Sequence, residues 1–172
     1  MESHYSVEQN IGIKLKIKKM KKVVFVVLFI ALSCTMVFAQ QKGYDLNWKT
    51  NFEEAKTVAK KENKLILVYF TGSDWSSACK KLNKDFFYTE KFKKLSEENL
   101  VLVRVDAPRR PTLISEYQTS SNQELSKKYD QKVYPTVVLA DANGEKLGMI
   151  ESYNYLHDTS KHYALINDAL KK

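Results

Sequence analysis

Leu65-Ile66-Leu67-Val68-Tyr69-Phe70 is an unbroken apolar run, and it constrains the fold more than any other stretch of this chain. A strand with one wetted face alternates apolar and polar residues. A run with no alternation and several β-branched members fits a strand covered on both faces, as in a sheet flanked by helices. Leu100-Val101-Leu102-Val103-Arg104-Val105-Asp106 repeats the pattern, and Thr136-Val137-Val138-Leu139-Ala140 supplies a third buried strand. Leu46-Asn47-Trp48 reads as a short edge strand. Asn143-Gly144 is a strong hairpin signal, so Lys146 to Glu151 is expected to return as an antiparallel edge strand.

Helical segments separate these strands. Thr50-Asn51-Phe52-Glu53 has capping-box spacing and predicts a helix to about Glu62. A second helix is expected from about Ser76 to Asp85, ended by Phe86 and Phe87, and a third from Glu90 to Glu98. Ala107 to Thr119, opened by Pro108-Arg109-Arg110-Pro111, reads as an inserted loop. Ser121-Asn122-Gln123-Glu124 again has capping-box spacing and predicts a helix ending near Tyr129. Asp158, Thr159 or Ser160 can cap a last helix through Leu170. Alternating strands and helices, then a hairpin and a terminal helix, predict an α/β fold with a mixed central β-sheet flanked by helices on both faces.

The N-terminal segment has a different composition. Met20-Lys21-Lys22 and the apolar stretch Val23 to Leu32 form a basic region and a hydrophobic region, and Val37-Phe38-Ala39 places compact residues before a cleavage point. Residues 1–39 are therefore expected to be a leader, with Met1 to Lys19 upstream of a start at Met20, and 40–172 a single domain beginning at Gln40. The apolar stretch is shorter than the roughly 20 residues of a membrane span. A periplasmic or secreted location follows, with a lipid anchor on Cys34 as the lesser alternative. The leader holds six lysines and two glutamates. Removing them from totals of 28 basic and 20 acidic residues leaves 22 and 18, a net charge of +4. That is too mild a charge to argue for nucleic acid, and no metal site is expected. His157 and His162 read as surface histidines. Tyr117, Tyr129, Tyr134, Tyr153 and Tyr155 are expected to cover sheet edges. Arg109-Arg110 reads as a solvated loop, with a surface that faces an acidic partner as the lesser alternative. Ser76 and Lys80 lie one helical turn apart without the glycines or orienting acid of a hydrolase.

Thr71-Gly72-Ser73-Asp74-Trp75-Ser76-Ser77-Ala78-Cys79-Lys80 after the first buried strand, and Tyr134-Pro135-Thr136 before the third, resemble the thioredoxin superfamily. The similarity is greatest to an exported bacterial branch whose site reads Thr-Gly-Ser-Asp-Trp-Cys-x-x-Cys. Lys81-Leu82, Phe86, Pro108-Arg109-Arg110, Asp141 and Gly144 extend the match, which runs from about Trp48 to Tyr153. The resemblance implies a thioredoxin-like fold. It places Ser76 where the nucleophilic cysteine would stand and Cys79 where the resolving cysteine would stand, facing inward. Trp75 matches the tryptophan that shields the site, although a turn aromatic packed on the sheet explains it as well. Pro135 matches the family's cis-proline, which frees a neighbouring backbone edge for an extended substrate; a plain strand-entry proline is its alternative. Tyr69 takes the place of the buried acid that assists the resolving thiol.

The resemblance thus implies a degenerate site. A thiol at a helix N-terminus ionises readily, because the dipole and unpaired N–H groups favour thiolate. A serine hydroxyl gains nothing comparable and forms no disulfide. With Cys34 in the leader, Cys79 is the one thiol of the exported chain. The expected function is binding of a polypeptide client or envelope protein, without dithiol turnover and without a cofactor. Trp75, Tyr134, Pro135 and Thr136 would form the binding face. The alternative is a monothiol oxidoreductase acting through Cys79 in mixed disulfides. Accessibility separates the two: an inward-facing thiol stays inert, whereas an exposed one beside Lys80 can react.

Overall fold

In the computed structural model, which describes residues 45–153 and 156–171, one five-stranded sheet carries the fold. Its strands are β1 (Trp48–Lys49), β2 (Leu65–Thr71), β3 (Leu100–Asp106), β4 (Thr136–Ala140) and β5 (Lys146–Glu151), in the spatial order β1-β3-β2-β4-β5. β1, β3 and β2 run parallel, and β4 and β5 are antiparallel additions. The mixed sheet expected from the sequence is therefore present. The leader, residues 1–39, and Tyr155 lie outside the described residues.

Among the described residues, five α-helices cover the sheet: α1 (Phe52–Glu62), α2 (Ser77–Leu82), α3 (Glu90–Asn99), α4 (Glu116–Lys128) and α5 (Ser160–Leu170). The apolar strands feed two separate cores because successive residues point to opposite faces. Ile66, Val68 and Phe70 join Val101, Val103, Val138, Ala55, Ala59, Leu125 and Tyr129 on the α1 and α4 side. Leu67 and Tyr69 join Leu100, Leu102, Val137, Cys79, Phe86, Phe87 and Ile166 on the α2, α3 and α5 side. That division is why the runs carry no polar alternation.

Several sequence readings need correction. The cap of α1 is Asn51, whose side chain accepts the Glu54 N–H at 3.0 Å, rather than Thr50. Helix α4 starts at Glu116, well before Ser121. Ser115 Oγ accepts the Gln118 N–H at 3.1 Å, so the segment read as a loop to Thr119 holds only 107–110 and a 3-10 turn at Pro111–Leu113 before the helix cap. Asn122 is thereby drawn into the helix interior, where its amide donates to the Asp106 carbonyl at 2.7 Å.

The third correction concerns His162. It is 3% exposed, not a surface residue, and its ring packs 5.0 Å from that of Phe86. Neither ring nitrogen has a hydrogen-bond partner. His157 is exposed, as expected, and pairs with Asp85. Among the five tyrosines, Tyr129 is a core residue and not an edge cover: its ring is buried and its hydroxyl donates to the Gly144 carbonyl at 3.0 Å. The hairpin itself forms as expected. Gly144 adopts φ +87, a left-handed conformation that glycine takes without strain, and a Cβ there would come within 3.0 Å of the Phe52 ring.

Helix α2 does not stop at Leu82 but runs into a π turn, Asn83–Phe87, that buries Phe86 and Phe87 completely. Each ring removed from water contributes about 2 kcal/mol. They anchor the far end of the helix whose first turn carries Ser76 and Cys79, so the aromatic core sets the position of the site.

Candidate functional site

The site is assembled where β2 gives way to α2. Thr71 ends the strand, and Gly72 turns the chain: its carbonyl accepts the N–H of Ser76 at 2.9 Å and of Trp75 at 3.3 Å. The Trp75 ring folds back over Gly72, where a Cβ would fall 2.3 Å from the indole. No larger residue fits there without displacing the tryptophan. Ser76 then caps α2, its Oγ accepting the Cys79 N–H at 3.3 Å. A serine is among the best residues for that position, so it preserves the helix start whatever it does to the chemistry.

Cys79 is completely buried, as expected for an inward-facing residue in the first turn. Its Sγ accepts the Gly72 N–H at 3.5 Å, and the Tyr69 hydroxyl donates to its backbone carbonyl at 3.3 Å. Burial, reinforced by the adjacent Cys79, pushes the Tyr69 hydroxyl far above the usual phenol range. Tyr69 is therefore a fixed donor beside the sulfur and takes no proton from it.

The second wall comes from the approach to β4. The Tyr134–Pro135 peptide bond is cis, in agreement with the sequence expectation for Pro135. Thr136 pairs with Phe70 in the antiparallel ladder, which brings Pro135 level with the end of β2 and the start of the turn. Thr136 is buried, and its hydroxyl donates to the Val133 carbonyl at 2.8 Å. Tyr134 is half-buried and meets Trp75 edge to face, ring centroids 5.6 Å apart. Trp75, Ser76, Cys79, Tyr134, Pro135 and Thr136 are thus gathered at one end of the sheet. The Tyr134 backbone N–H and C=O make no hydrogen bond among the described residues.

Sequence reasoning missed the third wall. The loop after β3 was read as solvated, yet it is clasped to the turn. Asp106 accepts from the Ser73 N–H at 3.0 Å and from the Ser73 hydroxyl. In the other direction, the Asp74 carboxylate accepts the N–H groups of Arg109 at 3.0 Å and Arg110 at 3.1 Å. Burial alone would raise the Asp74 carboxyl, but these two donors and the Arg110 charge outweigh it and hold it below the ordinary carboxylate range. The Trp75 indole N–H donates to the Ala107 carbonyl at 2.8 Å, and the Arg109 guanidinium lies 5.0 Å above the indole ring. A cavity of about 280 Å³ opens beside this loop, bordered by Asp106, Pro108, Arg109, Asn122 and Tyr134. The clasp follows from the sheet: β2 and β3 are parallel and in register from Leu65↔Leu100 to Thr71↔Asp106, so the loops leaving them lie side by side.

Among the described residues, no helix is long and apolar enough to cross a membrane, and no group of three His, Cys, Asp or Glu side chains could hold a metal.

Comparison with known proteins agrees with this geometry. The thioredoxin-like family profile matches residues 47–142. A Chlamydia pneumoniae protein named Disulfide bond reductase DsbH is 34% identical over 103 residues, 60% of this chain and 61% of that protein. Thioredoxin-related protein DsbJ of the same organism is 26% identical over 147 residues, 84% of this chain and 41% of that protein. The chain therefore spans about three fifths and two fifths of the length of these two relatives. A solved structure of a DsbH oxidoreductase superposes with a TM-score of 0.63 at 29% identity, covering 73% of this chain and 87% of that one. A Thermus thermophilus thioredoxin superposes with a TM-score of 0.56 at 20% identity, over 73% of this chain and 87% of its own, a likeness of fold alone. The matched stretch contains the Gly72–Cys79 turn, the three central strands and cis-Pro135, and the chain belongs to the thioredoxin-like family.

Proposed function

We propose that this chain is an exported thioredoxin-like protein with a degenerate Ser76-x-x-Cys79 site, which holds an extended polypeptide client without dithiol redox turnover. The observation that carries this reading is the complete burial of Cys79 beneath a helix cap formed by Ser76. A thioredoxin-type cycle needs an outer thiolate to attack the client and an inner one to release it. Here the outer position offers a hydroxyl already engaged with the helix, and the inner sulfur has no path to a client disulfide.

Binding requires less. An unpaired backbone edge at Tyr134, next to a cis-proline and an aromatic wall, suits an extended segment that adds main-chain hydrogen bonds. The client is a polypeptide or an envelope protein. Residues 1–39 serve as the leader that delivers the domain, residues 40–172, to the periplasm or the medium. N-terminal sequencing of the exported protein is expected to begin near Gln40; material retaining Met20 would refute export by cleavage.

The test of the functional reading is insulin reduction by dithiothreitol, run alongside alkylation of the folded protein. No rate above background and a Cys79 that reacts only after denaturation are expected. A rate near that of an ordinary thioredoxin would overturn the reading. A second reading, monothiol exchange through Cys79, draws support from the 34% identity to a protein named a disulfide bond reductase. Rapid labelling of Cys79 in the folded state, with a mixed disulfide detected by mass spectrometry, would favour it.

A further inference from the structure

Arg109 is the one basic side chain of the clasp whose charge is left open. Arg110 reaches Asp74, Nε to Oδ2 3.6 Å, while the Arg109 guanidinium rests on Trp75 and meets no carboxylate among the described residues. The two acids of the clasp are committed elsewhere. Asp74 accepts backbone N–H groups of the loop, and Asp106 accepts from Ser73. The Asp74 carboxylate also fixes the Arg109 backbone, so the guanidinium lying over the indole is restrained at both ends of its side chain.

A guanidinium lying on an aromatic face keeps its in-plane N–H donors turned outward, in the fork that matches a carboxylate. The face beneath it is continuous with the binding edge, because Trp75 also meets Tyr134, whose backbone precedes cis-Pro135. A client strand paired along Tyr134 therefore runs past an anchored, unopposed cation.

We propose that Arg109 is a specificity-determining residue, selecting extended client segments that carry an acidic side chain beside the residue paired with Tyr134. This rests on the client-binding reading above and adds the chemistry of the client. The guanidinium is exposed but positioned over the ring, so a charge-assisted hydrogen bond to a carboxylate costs less side-chain ordering than a bridge between two free surface chains.

The test uses the protein with its tryptophans labelled with ¹⁵N, which resolves the Trp75 indole from that of Trp48. Three twelve-residue peptides of Gly, Ser and Thr share a central Val and differ at the next residue: Glu, Gln or Lys. At low salt the Glu peptide is expected to shift the Trp75 indole signal with about tenfold higher affinity than the Lys peptide, with Gln between. Arg109→Gln should reduce that spread to about twofold, Arg109→Lys should restore part of it, and 0.5 M salt should narrow it in the wild type. Equal affinities for all three peptides would overturn the acidic preference and leave client binding intact. A preference that survives Arg109→Gln would assign it to another cation and overturn the proposal. Failure of all three peptides to bind would overturn client binding and the proposal together.

Discussion

His162 should make this fold acid-sensitive, and the size of the effect follows from where its ring lies. The residue sits on α5 with its ring against Phe86 and near Tyr153, ring centroids 5.0 and 6.1 Å away, and neither nitrogen is hydrogen-bonded. Burial lowers its pKa from 6.5 to about 4, against a small opposing pull from Asp158. In the unfolded chain the imidazole takes up a proton near its ordinary pKa; in the folded chain it resists until about pH 4. Between those values the unfolded state binds more protons, so stability falls as pH falls. It is unaffected above about 6.5, and the loss is complete below about 4. The cost is about 2 kcal/mol by pH 5 and about 3 kcal/mol by pH 4, on the scale of 1.36 kcal/mol per pKa unit. The carboxylates with lowered pKa, such as Asp85, lose their contribution mainly below their ordinary value, so among the groups with shifted pKa the window from 6.5 to 4.5 belongs to His162. Urea unfolding at fixed ionic strength from pH 7.5 to 4.5 reads the slope directly. His162→Leu, close in volume and without a titrating group, should change stability at pH 7 by less than about 1.5 kcal/mol and remove most of the slope. An unchanged slope in that variant would refute the reasoning and place the acid sensitivity in another group.

Three further outcomes probe the turn. Ser76→Cys should form a disulfide with Cys79 and gain measurable insulin reductase activity, because a thiol at this helix start ionises near neutral pH; a folded variant with neither bridge nor activity would mean the scaffold has diverged beyond that one position. Its rate should stay below that of a standard thioredoxin, since Tyr69 gives the inner sulfur no proton acceptor. Ser76→Ala should cost about 1 kcal/mol in denaturant unfolding through loss of the cap bond to Cys79, and no loss would show the cap to be replaced by water. Gly72→Ala should cost about 2 kcal/mol or more and alter Trp75 fluorescence, because the new Cβ overlaps the indole; a variant with wild-type stability and spectrum would refute the close approach.

The central strands were legible because their cause is local. Residues 65–70, 100–103 and 137–140 are apolar runs without polar alternation, as a strand covered on both faces requires. Ser76 as a helix start and Asn143-Gly144 as a turn were equally legible, since cap and turn chemistry act over three or four residues. The start of α4 was not. Ser115-x-x-Gln118 and Ser121-x-x-Glu124 are both acceptable caps in isolation. The earlier start prevails where Gln118 reaches the Thr50 carbonyl and Asn122 the Asp106 carbonyl, bonds to residues far away in the chain. His162 shared the apolar spacing of Ile166 four residues on, but its polarity argued for the surface; the Phe86 ring, supplied by the π turn, decided otherwise. The clasp was the least visible part, since Asp74 and Arg109 stand 35 residues apart and meet only because β2 and β3 lie parallel and in register. Local chemistry in the sequence determined the central strands, the Ser76 cap and the Ser76-x-x-Cys79 spacing. Tertiary structure alone decided which polar groups are buried, which charges are neutralised and which cation of the clasp is left without a carboxylate, because those depend on partners that only folding brings together.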